Sequence, residues 1–270
     1  MNIPLLPILI ASLTTFLAIK LLRPIAIKYD FVDSPNSRKP HTGFVPPIGG
    51  IAMYIGLVVS IASTSNDLIQ YRYLLISVSI IVLVGFLDDY RNIRVSLRLF
   101  FQFLAALILV IFGNSILGSF GNLFGNGEVI LNGSVYLFSV LALIAGMNAI
   151  NMSDGLHGLA GGTSLITFLA ILYLSLDIAL YGILLVLFLL CSVLPVFLIN
   201  NMCIGISKNK RIFMGDAGSM VIGLIIAWLL LELSQGEGRA FSPVTALWLF
   251  ALPLIEMFTV VIRRVVGGKS

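Results

Sequence analysis

Four carboxylates, Asp88, Asp89, Asp154 and Asp216, stand out in a chain with only 10% charged residues. They lie in short polar clusters that end hydrophobic runs: 85–91 (GFLDDYR), 148–162 (NAINMSDGLHGLAGG) and 213–219 (FMGDAGS). A fourth cluster, 36–50 (NSRKPHTGFVPPIGG), supplies the bases Arg38, Lys39 and His41. Carboxylates gathered at helix ends suit Mg²⁺, which takes oxygen ligands and leaves positions for phosphate oxygens. Bases beside such an ion bind phosphate. Acids, a metal and bases on one membrane face point to phosphoryl transfer onto a membrane-bound acceptor.

Each cluster also has a purely structural reading. Asp88 and Asp89 could form a solvated helix end with Arg91 as partner; the functional reading is a metal-binding or proton-handling pair. Asn148, Asn151, Asp154 and His157 recur every third residue. Neighbouring pairs share a helical face, but the set winds half-way round an ideal α-helix unless a break at Gly155 or Gly158 gathers it. A polar helix end and turn explains the glycines, but not four polar groups in one register. Asp216 opens a span and would serve equally as an N-cap or first-turn acid. Against these separate explanations stands the convergence of all four acids on one predicted face.

The elements that position them are membrane helices. The chain has 270 residues, is 59% hydrophobic and has a mean hydropathy of +1.08. A soluble domain carries about 25% charged residues. The fold class is therefore an all-α polytopic membrane protein, because a lipid-exposed backbone must satisfy its own hydrogen bonds. Nine spans are predicted, near 3–22, 48–65, 72–87, 97–112, 134–148, 159–176, 179–199, 215–233 and 243–262. Pro195 and Pro253 predict kinks or helix ends. One transmembrane domain, 1–270, accounts for the chain. The apolar start, 3–22, lacks preceding positive charge and reads as a retained helix.

Basic residues set the orientation. Arg23, Lys28, Arg38 and Lys39 fall on one side with Arg91, Arg94, Arg98, Lys208, Lys210, Arg211, Arg263, Arg264 and Lys269, whereas the opposite loops hold Arg72 and Arg239. The positive-inside rule places the N-terminus outside and the C-terminus in the cytoplasm. The net charge of +4 thus needs no nucleic-acid partner. Some of the bases could also attract lipid headgroups. Cys191 and Cys203 lack metal spacing, and no disulfide is expected in a reducing compartment. The outer loop 113–133 is rich in Gly and Asn, with weak alternation near 128–131 that suggests a short hairpin.

Taken together, PNSRKPHTGFVPPIGG, GFLDDYRNIRVSLR, NAINMSDGLHGLAGG, FMGDAGS and the stretch 235–264 containing SPVTALW form a specific set spread over the whole chain. The chain resembles the polyprenyl-phosphate N-acetylhexosamine-1-phosphate transferases, glycosyltransferase family 4. It is most similar to the branch that uses UDP-N-acetylglucosamine and undecaprenyl phosphate to begin O-antigen synthesis. The resemblance implies Mg²⁺, with Mn²⁺ as substitute, release of UMP, a homodimer, and a multi-pass enzyme of the bacterial inner membrane with its site on the cytoplasmic face. It implies catalytic roles for Asp88, Asp89, Asp154 and Asp216, with Asp216, Asp88 and Asp154 as metal ligands. It assigns Lys39, Asn148, Asn151, His157, Asn201 and Arg264 to substrate binding.

The lipid phosphate is largely ionised at neutral pH and needs no strong base. A covalent aspartyl route through Asp89 is the other available chemistry. Two departures from the family pattern matter. His157 stands where the family has Asp, so a negative charge is missing. The family continues past the RRVVGGKS stretch with a histidine-motif loop and further helices, so these 270 residues alone are expected to be weakly active or inactive. Competing readings are another UDP-N-acetylhexosamine donor, including the peptidoglycan branch, an inactive homologue, or an ion-coupled transporter. A transporter would place acids near mid-span. Only Glu256 does so; facing the inner cavity or pairing with a polar helix neighbour are its two expected roles, neither of them catalytic.

Overall fold

The computed structural model describes residues 4–33, 44–64, 71–178 and 180–267. The described residues form ten α-helices: α1 (Leu5–Lys28), α2 (Gly49–Ala62), α3 (Arg72–Arg91), α4 (Val95–Leu107), α5 (Val135–Ser153), α6 (Leu159–Ser175), α7 (Tyr181–Met202), α8 (Gly215–Ser234), α9 (Pro243–Leu249) and α10 (Ala251–Val266). A π-helical turn, Ile108–Phe112, extends α4. The described residues contain no β-strand, only two isolated bridges.

Every apolar segment expected to be a span is helical, but nine crossings are not what the helices support. Six are long and apolar enough by length and composition, or seven if a bent pair counts as one. α2 and α6 have 14 and 17 residues, short for a straight crossing of a ~30 Å hydrocarbon core. The last predicted span is two helices, α9 and α10, bent by 72°. Ser242 and proline account for the bend. The Ser242 hydroxyl accepts the Thr245 N–H at 3.1 Å, and Pro243 opens α9. Pro253 lies in the first turn of α10, where a missing N–H leaves no helical bond unmade. The helices by themselves carry no inside or outside, so orientation rests on the basic loops.

α8 is the axis of the bundle. Its hydrophobic window is 94% buried, against 22% for α1. α2, α3, α5 and α6 pack round it. Small residues make this possible, because lipid offers no hydrophobic drive between helices and close backbone packing must supply the attraction. A Cβ on Gly50 would sit 2.2 Å from Gly218 Cα, and one on Gly223 would sit 2.3 Å from the Gly146 carbonyl oxygen.

The C-terminal end of α8 anchors the 113–133 loop. Glu232 accepts a 2.6 Å hydrogen bond from Ser115, and Gln235 Oε1 accepts the Gly118 and Ser119 N–H groups. The weak hairpin signal survives only as a turn closed by the Ser119–Ile130 bridge. Phe120 N–H donates to the Val129 carbonyl at 2.9 Å. Cys191 and Cys203 are both free thiols.

Candidate functional site

The site is assembled where the segment before α8 meets the start of α2. Phe213 N–H donates to the Pro46 carbonyl, and the Gly49 and Gly50 N–H groups donate to the Phe213 and Met214 carbonyls, at 2.8–3.0 Å. Two of the N-terminal donors that α2 cannot satisfy internally are thus taken up by the α8 approach. Gly215 then turns the chain into α8 at φ +76°, a conformation that costs glycine least. A Cβ there would lie 2.5 Å from Asp89 Oδ2.

That contact reveals the role of Asp89. The residue before α8 is Met214, which offers no capping oxygen. Asp89, at the end of α3, caps α8 from outside, accepting the Asp216 N–H at 2.9 Å and the Ala217 N–H at 3.3 Å. A carboxylate at a helix N-terminus meets both unpaired donors and the positive end of the dipole. Asp216 itself sits in the first turn, as the sequence suggested, but the capping oxygens come from α3.

Asp216 is held on two sides. Asn151 Nδ2 donates to its Oδ1 at 2.7 Å and also reaches Ser219 Oγ at 3.0 Å. Arg98 Nη1 lies 3.7 Å from its Oδ2 and donates to Asp88 Oδ2 at 2.8 Å. The Asp88 and Asp216 carboxyls thus meet at the same guanidinium nitrogen. The Asp88 side chain is 7% exposed and that of Asp216 is 35%, so Asp216 is the carboxylate that faces outward. Two carboxylates therefore share one guanidinium, while the third, Asp89, faces the helix N-terminus, which offsets part of its charge.

Arg98 and Gln102 are absent from the residues picked out by sequence. The signal was present: both lie in the apolar run VSLRLFFQF, where a charge is costly unless paired. Buried Gln102 accepts from Asn148 Nδ2 at 2.8 Å, so Asn148 ties α5 to α4 rather than meeting Asp216. The three-residue register therefore splits, with Asn151 facing α8 and Asn148 facing α4. Next along α5, Ser153 donates to Glu256 Oε2 at 2.6 Å, the polar neighbour expected for that acid.

α5 ends at Ser153, and Asp154 is its C-cap residue. Among the described residues no three His, Cys, Asp or Glu side chains are already gathered as a metal cluster. Asp154 closes the helix with φ −80° and ψ +40°. His157 stacks on Phe213 with ring centroids 5.3 Å apart, and its Nε2 lies 3.1 Å from Arg211 Nη1. Its place in the site is thus beside a base. Arg264 is exposed in the last turn of α10. Lys39, with Arg38 and His41, lies outside the described residues.

Asn201 is buried, with its side chain spent on backbone. Its Oδ1 accepts the Gly158 N–H at 2.7 Å and its Nδ2 donates to the Ile212 carbonyl at 2.9 Å. It holds the α5–α6 turn against the approach to α8, which places the residue without presenting it to a ligand. Asn201→Ala should cost about 2–4 kcal/mol, since the buried Ile212 carbonyl loses its partner at about 1–3 kcal/mol and the part-buried Gly158 N–H at about 1 kcal/mol. Thermal unfolding in detergent would measure it, and an unchanged midpoint would refute the bridging role.

The arrangement suits a divalent cation together with a polyanion. Mg²⁺ is usually held by one or two carboxylates, with water and substrate phosphates completing its shell. Asp216 and Asp88 meet that requirement without a third acid. Among the described residues the buried Nε atoms of Arg98 and Arg211 have no hydrogen-bond partner, leaving donors for phosphate oxygens near the acids.

Comparison with known proteins points the same way. A profile described as glycosyl transferase family 4 matches residues 71–234. Three relatives carry the name undecaprenyl-phosphate alpha-N-acetylglucosaminyl 1-phosphate transferase. The one from Haemophilus influenzae is 38% identical over 271 residues, 98% of this chain and 75% of that protein. The Salmonella typhi protein is 37% identical, covering 96% and 70%. The Escherichia coli O157:H7 protein is 36% identical, covering 92% and 67%.

Proposed function

The chain belongs to glycosyl transferase family 4, and we propose that it transfers N-acetylglucosamine 1-phosphate from UDP-N-acetylglucosamine to undecaprenyl phosphate. A lipid phosphate oxygen attacks the phosphorus that bears the sugar. A new P–O bond forms to the lipid phosphate, the bond to the bridging oxygen breaks, and UMP leaves with that electron pair. The observation that carries this reading is the Asp88–Asp216–Arg98–Asn151 cluster at the buried start of α8.

In this reading Asp216 would hold Mg²⁺ with Asp88. When bound, the ion would offset charge on the donor's phosphates as the sugar 1-phosphate is transferred. Arg98 keeps the two acids in place and presents charge to the phosphates. Asn151 fixes the Asp216 carboxylate by its 2.7 Å bond, so the outward oxygen is aimed before substrate arrives. Asp89 is a positioning residue here. Both its oxygens are committed to the α8 N-terminus, which favours single displacement over an aspartyl intermediate. Lys39 and Arg264 are assigned to the donor's phosphates, and His157 and Arg211 to its nucleotide. The basic loops favour a cytoplasmic site in the inner membrane. A homodimer rests on the family resemblance.

The test incubates purified protein with Mg²⁺, undecaprenyl phosphate and UDP-N-acetylglucosamine, and reads UMP together with the lipid-linked sugar. Any UMP and lipid-linked sugar formed, even at a low rate, should stop with EDTA. UDP-N-acetylgalactosamine in a parallel reaction asks whether the sugar assignment is right. EDTA-resistant turnover would remove Mg²⁺ from the account. Absence of any Mg²⁺-dependent stabilisation by the donor would remove the transferase reading.

A further inference from the structure

Away from the acid cluster, α1 and the end of α7 enclose a groove of about 540 Å³. This is a typical size for a small-molecule site. Its walls are apolar, from Leu13 and Phe16 on α1 and Val196 and Ile199 on α7. One end is basic, formed by Lys20 and Arg23 on α1 and Lys210 on the loop before α8. Among the described residues no carboxylate lines it. Lys20 Nζ lies 5.2 Å from the centre of the Phe16 ring, so its charge sits above the apolar wall. Arg23 donates through Nη2 to the Asn209 carbonyl, while its buried Nε has no partner among the described residues.

We propose that this groove is a binding site for an anionic glycerophospholipid of the surrounding bilayer. The phosphate meets Lys20, Arg23 and Lys210, and one acyl chain lies along α1 and α7. The dimensions agree. From Leu9 to Arg23 the groove runs about 21 Å at 1.5 Å per residue. That exceeds the ~15 Å of hydrocarbon in one leaflet. The chain of undecaprenyl phosphate is far longer than such a groove, and the lining offers none of the acids assigned to transfer. Basic ends on apolar helices attract anionic headgroups at roughly 1 kcal/mol per Lys or Arg.

The bound headgroup has a route to the α8 start. The loop that carries Lys210 continues through Arg211, beside His157, to Phe213 and Met214, whose carbonyls hold the start of α2. Neutralising Lys210 and Arg23 together fixes this loop from its outer side.

The experiment places a reporter in the groove. Phe16→Trp protein in nanodiscs should be quenched by brominated phosphatidylglycerol, beyond the quenching of Trp228 and Trp248 in the parent protein. Brominated phosphatidylcholine at equal mole fraction should quench it far less. Adding Lys20→Gln, Arg23→Gln and Lys210→Gln should weaken the phosphatidylglycerol effect about five-fold per base, roughly a hundredfold in all. Single Lys20→Gln serves if the triple variant unfolds. Equal quenching by both lipids would overturn the proposal. So would displacement by undecaprenyl phosphate at equal mole fraction, or a doubled mass with an unquenched reporter, which would assign the groove to a second copy. None of these readouts depends on transferase turnover.

Discussion

Asp216→Asn should lower UMP release about 10²–10³-fold, while the protein stays as stable as the parent or becomes more so. The rate loss follows from removing the outward-facing carboxylate that would hold the cation at the transferring phosphate; one preorganised electrostatic contact is worth about 10²–10³ in rate. The stability result follows from charge crowding. Asp216 lies beside Asp88 with one guanidinium between them, and asparagine keeps the oxygen that accepts from Asn151. Asp89→Asn should behave differently. It retains one acceptor for two backbone donors, so unfolding should become easier by about 0.5–2 kcal/mol along with the loss of activity. Turnover and unfolding midpoint measured on the same preparations separate the two. An Asp216→Asn protein that keeps a tenth of its activity, or melts well below the parent, would refute the assignment.

The second large effect concerns a residue with no polar atom in its side chain. Gly85→Val should destabilise the protein by about 3 kcal/mol, the upper part of the usual overpacking range. Activity should fall about 10²-fold even in the folded fraction, because displacements near 1 Å cost that much at a reacting centre. A Cβ on Gly85 would sit 2.3 Å from Ala217 Cα and 2.4 Å from its nitrogen, where only backbone can move. Asp89 lies one turn further along α3 on the same face, so forcing the helices apart also withdraws the cap from α8. Gly162→Ala is the control. Nothing lies within 4 Å of its Cβ position on α6, and a gain of about 0.5–1 kcal/mol is expected. Denaturant unfolding in detergent, with turnover measured beside it, tests both. Equal behaviour of the two variants would show that the α3–α8 approach is not tight.

Much of this protein was determined by its sequence alone. Low charge and recurring apolar runs required helices, because lipid satisfies no backbone hydrogen bond. Polar clusters at the helix ends marked where chemistry would gather, since acids and amides are costly anywhere else in such a chain. What those residues do to one another was decided by the packing of α2, α3 and α5 on α8. One-dimensional spacing grouped Asn148 with Asn151 and Asp88 with Asp89, but helix faces separated each pair. Asn148 turned to Gln102, and Asp89 became the cap of another helix while Asp88 and Asp216 met at Arg98. Arg98 read as one of many topology-setting bases until α4 brought it against two carboxylates. The physical reason is one of range. Hydropathy and helical periodicity act between neighbours in the chain, whereas a cap, an ion pair or a glycine contact exists only after distant helices have docked.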